Sequence, residues 1–143
     1  MSNSQSVMVV YVDYARPFDV VCHNKLFSKL SAYGIVGDLI DWIRVFLSNR
    51  SQCTRINESY SEFVNVPSGV IQGSVLGPLL FLLYVNDVAD IFNGNCVCKL
   101  YADDIKLYSV LDSANDCSDL QCQLNDLQQW SDRWQLNISY KKM

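Results

Sequence analysis

A chain of 143 residues, half of them apolar, falls in the size range of one globular domain. Its 11 basic and 15 acidic residues give a formal net charge of −4, which argues against a freestanding nucleic-acid binder with a basic stripe. The longest apolar run, "VLGPLLFLLYV" at 75–85, falls short of the roughly 18 to 20 residues a membrane span requires.

The first predicted element is a buried strand over "SVMVVYVDY", rich in β-branched residues and ending at Asp13. No basic stretch precedes its apolar residues, so the expectation is a soluble, intracellular protein that is not secreted. A helix follows, with Leu26, Phe27, Leu30 and Tyr33 on one face and Gly34 placed to stop it. The next amphipathic segment carries Leu39, Ile40, Trp42, Ile43, Phe46 and Leu47. "QCTRIN" and "EFVNV" flank "ESYS" as a strand pair. The glycine-rich "PSGVIQGSVLGP" then feeds a largely buried helix, "LLFLLYVNDVADIF", with Pro78 near its start.

After Gly94, "CVCKLYADDIKLYSV" reads as a hairpin with the acids of "YADD" at its tip. A last helix is marked by Leu120, Leu124, Leu127, Trp130 and Trp134 at three- and four-residue steps, and "LNISY" is a candidate short strand. Helices on one face of a mostly antiparallel sheet make an α+β domain. The six cysteines, at 22, 53, 96, 98, 117 and 122, lack the CxxC spacing of a zinc site and read as reduced thiols, mostly core filler.

Two adjacent acids repel each other unless something positive lies beside them. Asp103 and Asp104, joined by the strand-end Asp13, would suit a pair of Mg²⁺ ions, which prefer oxygen ligands and are held by few carboxylates plus substrate phosphates. Paired aspartates also form solvated turns, and a strand-end aspartate also caps helices; the residues alone leave both readings open.

Three blocks in one order bear on the choice. "VDYARPFDVVCH" at 12–23, "SGVIQGSVLGPLLFLLYVNDV" at 68–88 and "YADD" at 101–104 resemble motifs A, B and C of a reverse transcriptase palm, in the version carried by non-LTR, LINE-like retrotransposons. "WQLNISYKK" is similar to motif D. The resemblance implies an RNA-directed DNA polymerase that takes an RNA template, a DNA primer and deoxynucleoside triphosphates, with two Mg²⁺ ions or Mn²⁺ in their place. Asp13, Asp103 and Asp104 would be metal ligands and catalytic residues. Phe18 would lie under the incoming sugar and bar a 2′-hydroxyl, Gln72, Gly73 and Tyr101 would line the nucleotide side, and Lys142 would protonate departing pyrophosphate.

The pattern is departed from at Pro17, where the family usually has a small residue, and at Ile71, where it usually has proline. Met143 stands in place of cysteine or threonine. The resemblance makes residues 1–143 a partial reverse transcriptase domain. It is the palm with part of its connection to the fingers, the fingers incomplete and the thumb absent, within a longer polyprotein. Such a piece is expected to polymerise poorly or not at all by itself. Two other readings stand beside it: a catalytically inactive remnant or interaction domain that keeps the palm fold, and an RNA-directed RNA polymerase, which Phe18 opposes but for which Asp19 could bond a ribose hydroxyl.

Overall fold

The computed structural model describes residues 6–111 and 114–139. In chain order these form β1 (Ser6–Val12), α1 (Pro17–Val20), α2 (His23–Ala32) and α3 (Asp38–Leu47). Four two-residue strands follow: β2 (Ser51–Gln52), β3 (Arg55–Ile56), β4 (Ser59–Tyr60) and β5 (Val64–Asn65). Then come α4 (Leu76–Val85), a 3-10 helix (Asn86–Ile91), β6 (Cys96–Tyr101), β7 (Asp104–Leu111) and α5 (Ala114–Trp134). Helices mixed with antiparallel sheets give the α+β class expected. Two compact units result, one of Met1–Pro17 with Val85–Met143 and the other of Phe18–Tyr84.

In the first unit, β1, β7 and β6 make an antiparallel sheet in the order β1-β7-β6. Side chains alternate across a strand, so each cross-strand row belongs to one face. The rows Val10–Leu107–Cys98 and Val12–Ile105–Leu100 share one face, where Val12, Ile105 and Leu107 are buried. α5 lies against β7 and contributes Leu120 and Leu127 to the core, so the three- and four-residue spacing reported its buried stripe correctly. Each such leucine contributes about 1.5–3 kcal/mol by leaving water.

The other face, with rows Val9–Tyr108–Val97 and Tyr11–Lys106–Lys99, is open. Here the expectation of a buried first strand fails: Val9 is 43% and Tyr11 70% exposed. β1 lies at the sheet edge, and helix α5 covers one side of the sheet, so a run of apolar residues ended up half wetted. "LNISY" forms a single antiparallel bridge between Tyr14 and Ile138. It is flanked by hydrogen bonds from Ser139 N to the Asp13 carbonyl and from Ala15 N to the Asn137 carbonyl, both 2.8 Å.

The second unit holds α2, α3 and the body of α4. α2 ends as Gly34 requires: Gly34 has φ +84°, its N–H reaches the Ser31 carbonyl and Ile35 N–H reaches back to Leu30, the pattern of a left-handed stop. Leu26, Leu30, Ile43 and Leu47 are buried, whereas Leu39 and Trp42 stay more than half exposed; the apolar stripe of α3 that meets the core is narrower than its sequence suggests. Lys29 is buried, with its Nζ donating to the Tyr84 carbonyl at 2.5 Å and lying 5.2 Å from the Tyr84 ring centre.

The expected strand pair is a ladder in two steps, β2 with β5 and β3 with β4. The helix foreseen over "LLFLLYVNDVADIF" stops at Val85 and continues as the 3-10 turn of Asn86–Ile91, since two polar residues, Asn86 and Asp87, interrupt its buried run. All six cysteines are free, but only Cys96 is buried and Cys117 and Cys122 are exposed; most are not core filler. No helix among the described residues is long and apolar enough to cross a membrane.

Candidate active site

The hairpin β6–β7 closes with Tyr101 paired to Asp104, leaving Ala102 and Asp103 as its two-residue turn. Ala102 takes φ +53° and Arg16, just after β1, takes φ +51°. Left-handed backbone is uncommon outside glycine, and both instances flank the acids. The β1–β7 ladder ends at Val12 opposite Ile105; continuing that register by one step would set Asp13 opposite Asp104.

Strand alternation therefore places Asp13, Asp104 and Tyr101 in one row on the open face, beside the row of Tyr11, Lys106 and Lys99. These six residues line a cavity of about 430 Å³. The Oδ2 oxygen of Asp13 is shut off from solvent, while Asp104 is exposed. Lys106 holds its ammonium 5.3 Å from the Tyr11 ring centre, a cation–π contact next to the carboxylates. Asp103 is half-buried in the turn and does not line that cavity. Among the described residues, no three carboxylate, thiol or imidazole groups already enclose a space for a metal ion. Lys142 lies outside the described residues.

Beneath the row, Tyr14 is 3% exposed and its hydroxyl has no hydrogen-bond partner among the described residues. Burial, then Cys98 and Asp87, raise its pKa far above the ordinary phenol value. Burial and neighbouring Cys96 push Cys98 up to about 11, so its thiol is no nucleophile at neutral pH. Nothing in the sequence marked either residue; both are consequences of packing.

The other sequence-predicted residues belong to the Phe18–Tyr84 unit. Pro17 opens α1 and is buried there, the first-turn position that proline tolerates. The Phe18 ring packs on Phe81 with centroids 4.3 Å apart. The Phe18 carbonyl accepts Val70 N–H at 2.8 Å and the Val21 carbonyl accepts Gly69 N–H at 2.9 Å, so the α1 turn and the glycine-rich loop are stitched together.

Gly69 has φ +87°, and a Cβ there would stand 2.7 Å from the Asp19 carbonyl oxygen and 2.8 Å from that of Phe18. Only glycine permits that approach. Gly77 is held the same way against the Ile71 carbonyl, which also accepts from Ser74 Oγ at 2.7 Å; the loop is tied down without the proline that Ile71 replaces. Gln72 and Gly73 are exposed on this loop, and Gln72 Nε2 donates to Asp19 Oδ1 at 2.8 Å. In the sequence Asp19 stood out only as a ribose contact in the RNA-directed RNA polymerase reading; its bond to Gln72 was not foreseen.

A family profile described as reverse transcriptase (RNA-dependent DNA polymerase) matches residues 1–143. The chain belongs to this family. Among curated relatives of this reverse transcriptase chain, the probable RNA-directed DNA polymerase from transposon BS of Drosophila melanogaster is 33% identical over 93% of the chain and 15% of its own length. The RNA-directed DNA polymerase from mobile element jockey of the same fly is 28% identical over 99% of the chain and 16% of its own length. The probable RNA-directed DNA polymerase from transposon X-element, also of D. melanogaster, is 29% identical over 93% and 15%. The reverse transcriptase chain thus spans about 15% of the length of the curated relatives it matches.

Proposed function

We propose that this chain is the palm-centred part of an RNA-directed DNA polymerase of a non-LTR retrotransposon. Residues 1–143 are its palm and part of the connection to the fingers, within a longer polyprotein. The observation that carries the reading is that Asp13 and Asp104, each adjoining the last β1–β7 pair, line one cavity at the turn end of the sheet, in a chain of the reverse transcriptase family. The palm assignment draws further support from the one-sided sheet that α5 covers, which leaves the acid face open for nucleic acid.

Asp13, Asp103 and Asp104 would hold two Mg²⁺ ions, or Mn²⁺ in their place. The donor set fits: carboxylate oxygens are what such hard cations prefer, one of them on Asp13 is out of reach of bulk water, and a pair of carboxylates completed by substrate phosphates and water is the usual complement of Mg²⁺. When bound, the ions supply activation of the primer 3′-hydroxyl and neutralisation of the charge that builds on departing pyrophosphate. In the transfer, the 3′-oxygen bonds to the α-phosphorus of a deoxynucleotide as the bond to pyrophosphate breaks.

The chain's own residues hold and orient. Phe18, braced by Phe81, blocks a 2′-hydroxyl, while Gln72, Gly73 and Tyr101 receive the nucleotide. Lys142 gives the pyrophosphate its proton as general acid. RNA template and DNA primer are gripped mostly by segments beyond these residues, which is consistent with the net charge of −4.

The test is primer extension on an RNA template by a polymerase of the relatives' length that contains this chain. Extension with deoxynucleotides that Asp104→Asn abolishes supports the reading. A preference for ribonucleotides, or activity untouched by the substitution, refutes it. The 143 residues by themselves are expected to extend primers poorly or not at all.

A further inference from the structure

Lys99 and Lys106 are paired directly across the β6–β7 ladder, on the open face of the sheet, and both are exposed. Partners so placed have their Cβ atoms about 4.5–5.5 Å apart, and like charges there destabilise a sheet. Among the described residues neither ammonium is in an ion pair. Lys106 instead rests 5.3 Å from the ring centre of Tyr11, its partner in β1. An anion between two facing cations turns their repulsion into attraction.

We propose that Lys99 and Lys106 together hold one phosphodiester of the primer, the linkage on the 5′ side of its terminal nucleotide, and so set the 3′-hydroxyl over the acids. The inference rests on the polymerase reading above and names the linkage that this face grips.

Charge, spacing and extent select that ligand. A phosphodiester has two non-bridging oxygens that share one negative charge, and the ammonium of a lysine is a compact point charge with three donors, so each lysine takes one oxygen. The pair Tyr101–Asp104 is the next row toward the turn on the same face. Two residues along a strand separate the rows by about 6.7 Å, close to the span of a single nucleotide in a strand. A primer end whose 3′-hydroxyl lies at Asp13 and Asp104 therefore has its own 5′-phosphate at the lysines. The cavity that contains these acids reaches the lysine row and stops short of Val9, Tyr108 and Val97, which form the following, uncharged row. One pair of cations followed by apolar and aromatic surface suits a strand whose phosphates are a nucleotide apart. A triphosphate, with its charges on consecutive phosphorus centres, would call for further cations beside the first pair.

The test is binding of a primer annealed to an RNA template, followed by fluorescence anisotropy without nucleotide, in the polymerase of the relatives' length. Lys99→Gln with Lys106→Gln should weaken binding about tenfold or more, the scale of a hydrogen bond from a charged donor. A primer carrying an uncharged methylphosphonate at its last linkage should lose a similar factor with the unsubstituted polymerase and little more with the double variant, whereas a methylphosphonate at an interior linkage should add its loss to that of the variant. In extension, KM for the primer should rise by the same factor, with KM for deoxynucleotides within about twofold. Undiminished binding by the double variant, losses that add at the last linkage, or a rise confined to the deoxynucleotide KM would overturn the proposal. So would an unsubstituted polymerase indifferent to the methylphosphonate at the last linkage, a result that needs no variant to fold. Binding is measured without turnover, so failure of the unsubstituted enzyme to extend primers would count against the polymerase reading and not against the lysine pair.

Discussion

Asp13 and Asp104 lie next to the last β1–β7 pair, Val12–Ile105, at one end of the sheet, and both line one cavity. Like charges facing each other across strands destabilise a sheet by roughly 0.2–1 kcal/mol. Without metal, then, Asp104→Asn should raise the stability of the protein by a few tenths of a kcal/mol up to about 1 kcal/mol, measured by urea titration in EDTA. The same substitution should cut primer extension by at least about a hundredfold. A residue that costs stability yet is needed for turnover is the mark of a functional charge; a substitution that destabilises the apo protein would mean Asp104 has a structural partner instead.

Divalent cations should reverse that cost. Ligand that binds only the folded state adds about 2.7 kcal/mol when present at 100 times its Kd. Mg²⁺ should therefore raise the melting temperature in a concentration-dependent way, checked by differential scanning fluorimetry. Asp13→Asn and Asp104→Asn should each flatten the response, while Asp126→Asn, an exposed acid on α5, should leave it intact.

Gly69→Ala tests the stitch between the α1 turn and the glycine-rich loop. The substitution meets two penalties, a left-handed backbone at φ +87° and a Cβ within 2.7 Å of a carbonyl oxygen. Strain of this kind costs about 1–3 kcal/mol per site. Denaturant unfolding should show a loss in or above that range, whereas Gly73→Ala, with open space around its Cβ, should cost less. Equal losses at the two glycines would mean that backbone angle alone, and not the close approach, matters.

Much of this was legible in the sequence, for identifiable reasons. Period-two and period-3.6 patterns act locally, so the "YADD" hairpin, the Gly34 stop and the stripe of α5 came through. What failed depends on partners far along the chain. β1 carries the residues of a buried strand, yet it lies at an edge, and no local pattern distinguishes an edge from a centre. The helix from Leu76 was read too long because Asn86 and Asp87 were weighed against a strongly apolar run that precedes them. At the site, the motif spacing singled out Phe18 and Gln72, while Asp19 entered only through the RNA polymerase reading; its bond to Gln72 exists only once loop 68–72 folds back on it.

Cys98 gives the pH dependence a sign. Its thiol ionises near the ordinary cysteine range when unfolded and only at about 11 when folded, because burial and then Cys96 disfavour the thiolate. Between those values the folded state keeps a proton that the unfolded state has lost, so stability is intact below about pH 9 and falls as pH rises toward 11. Cys98→Ala should flatten this alkaline decline in a series of urea titrations; a decline of unchanged slope would assign it to other groups.

The most direct test of the whole account is anomalous diffraction from crystals of the protein soaked in Mn²⁺ and a deoxynucleoside triphosphate. Two peaks roughly 3.5 to 4 Å apart, bounded by the carboxylates of Asp13, Asp103 and Asp104, are the expected result. Manganese bound elsewhere, with those three side chains turned to separate surfaces, would contradict it.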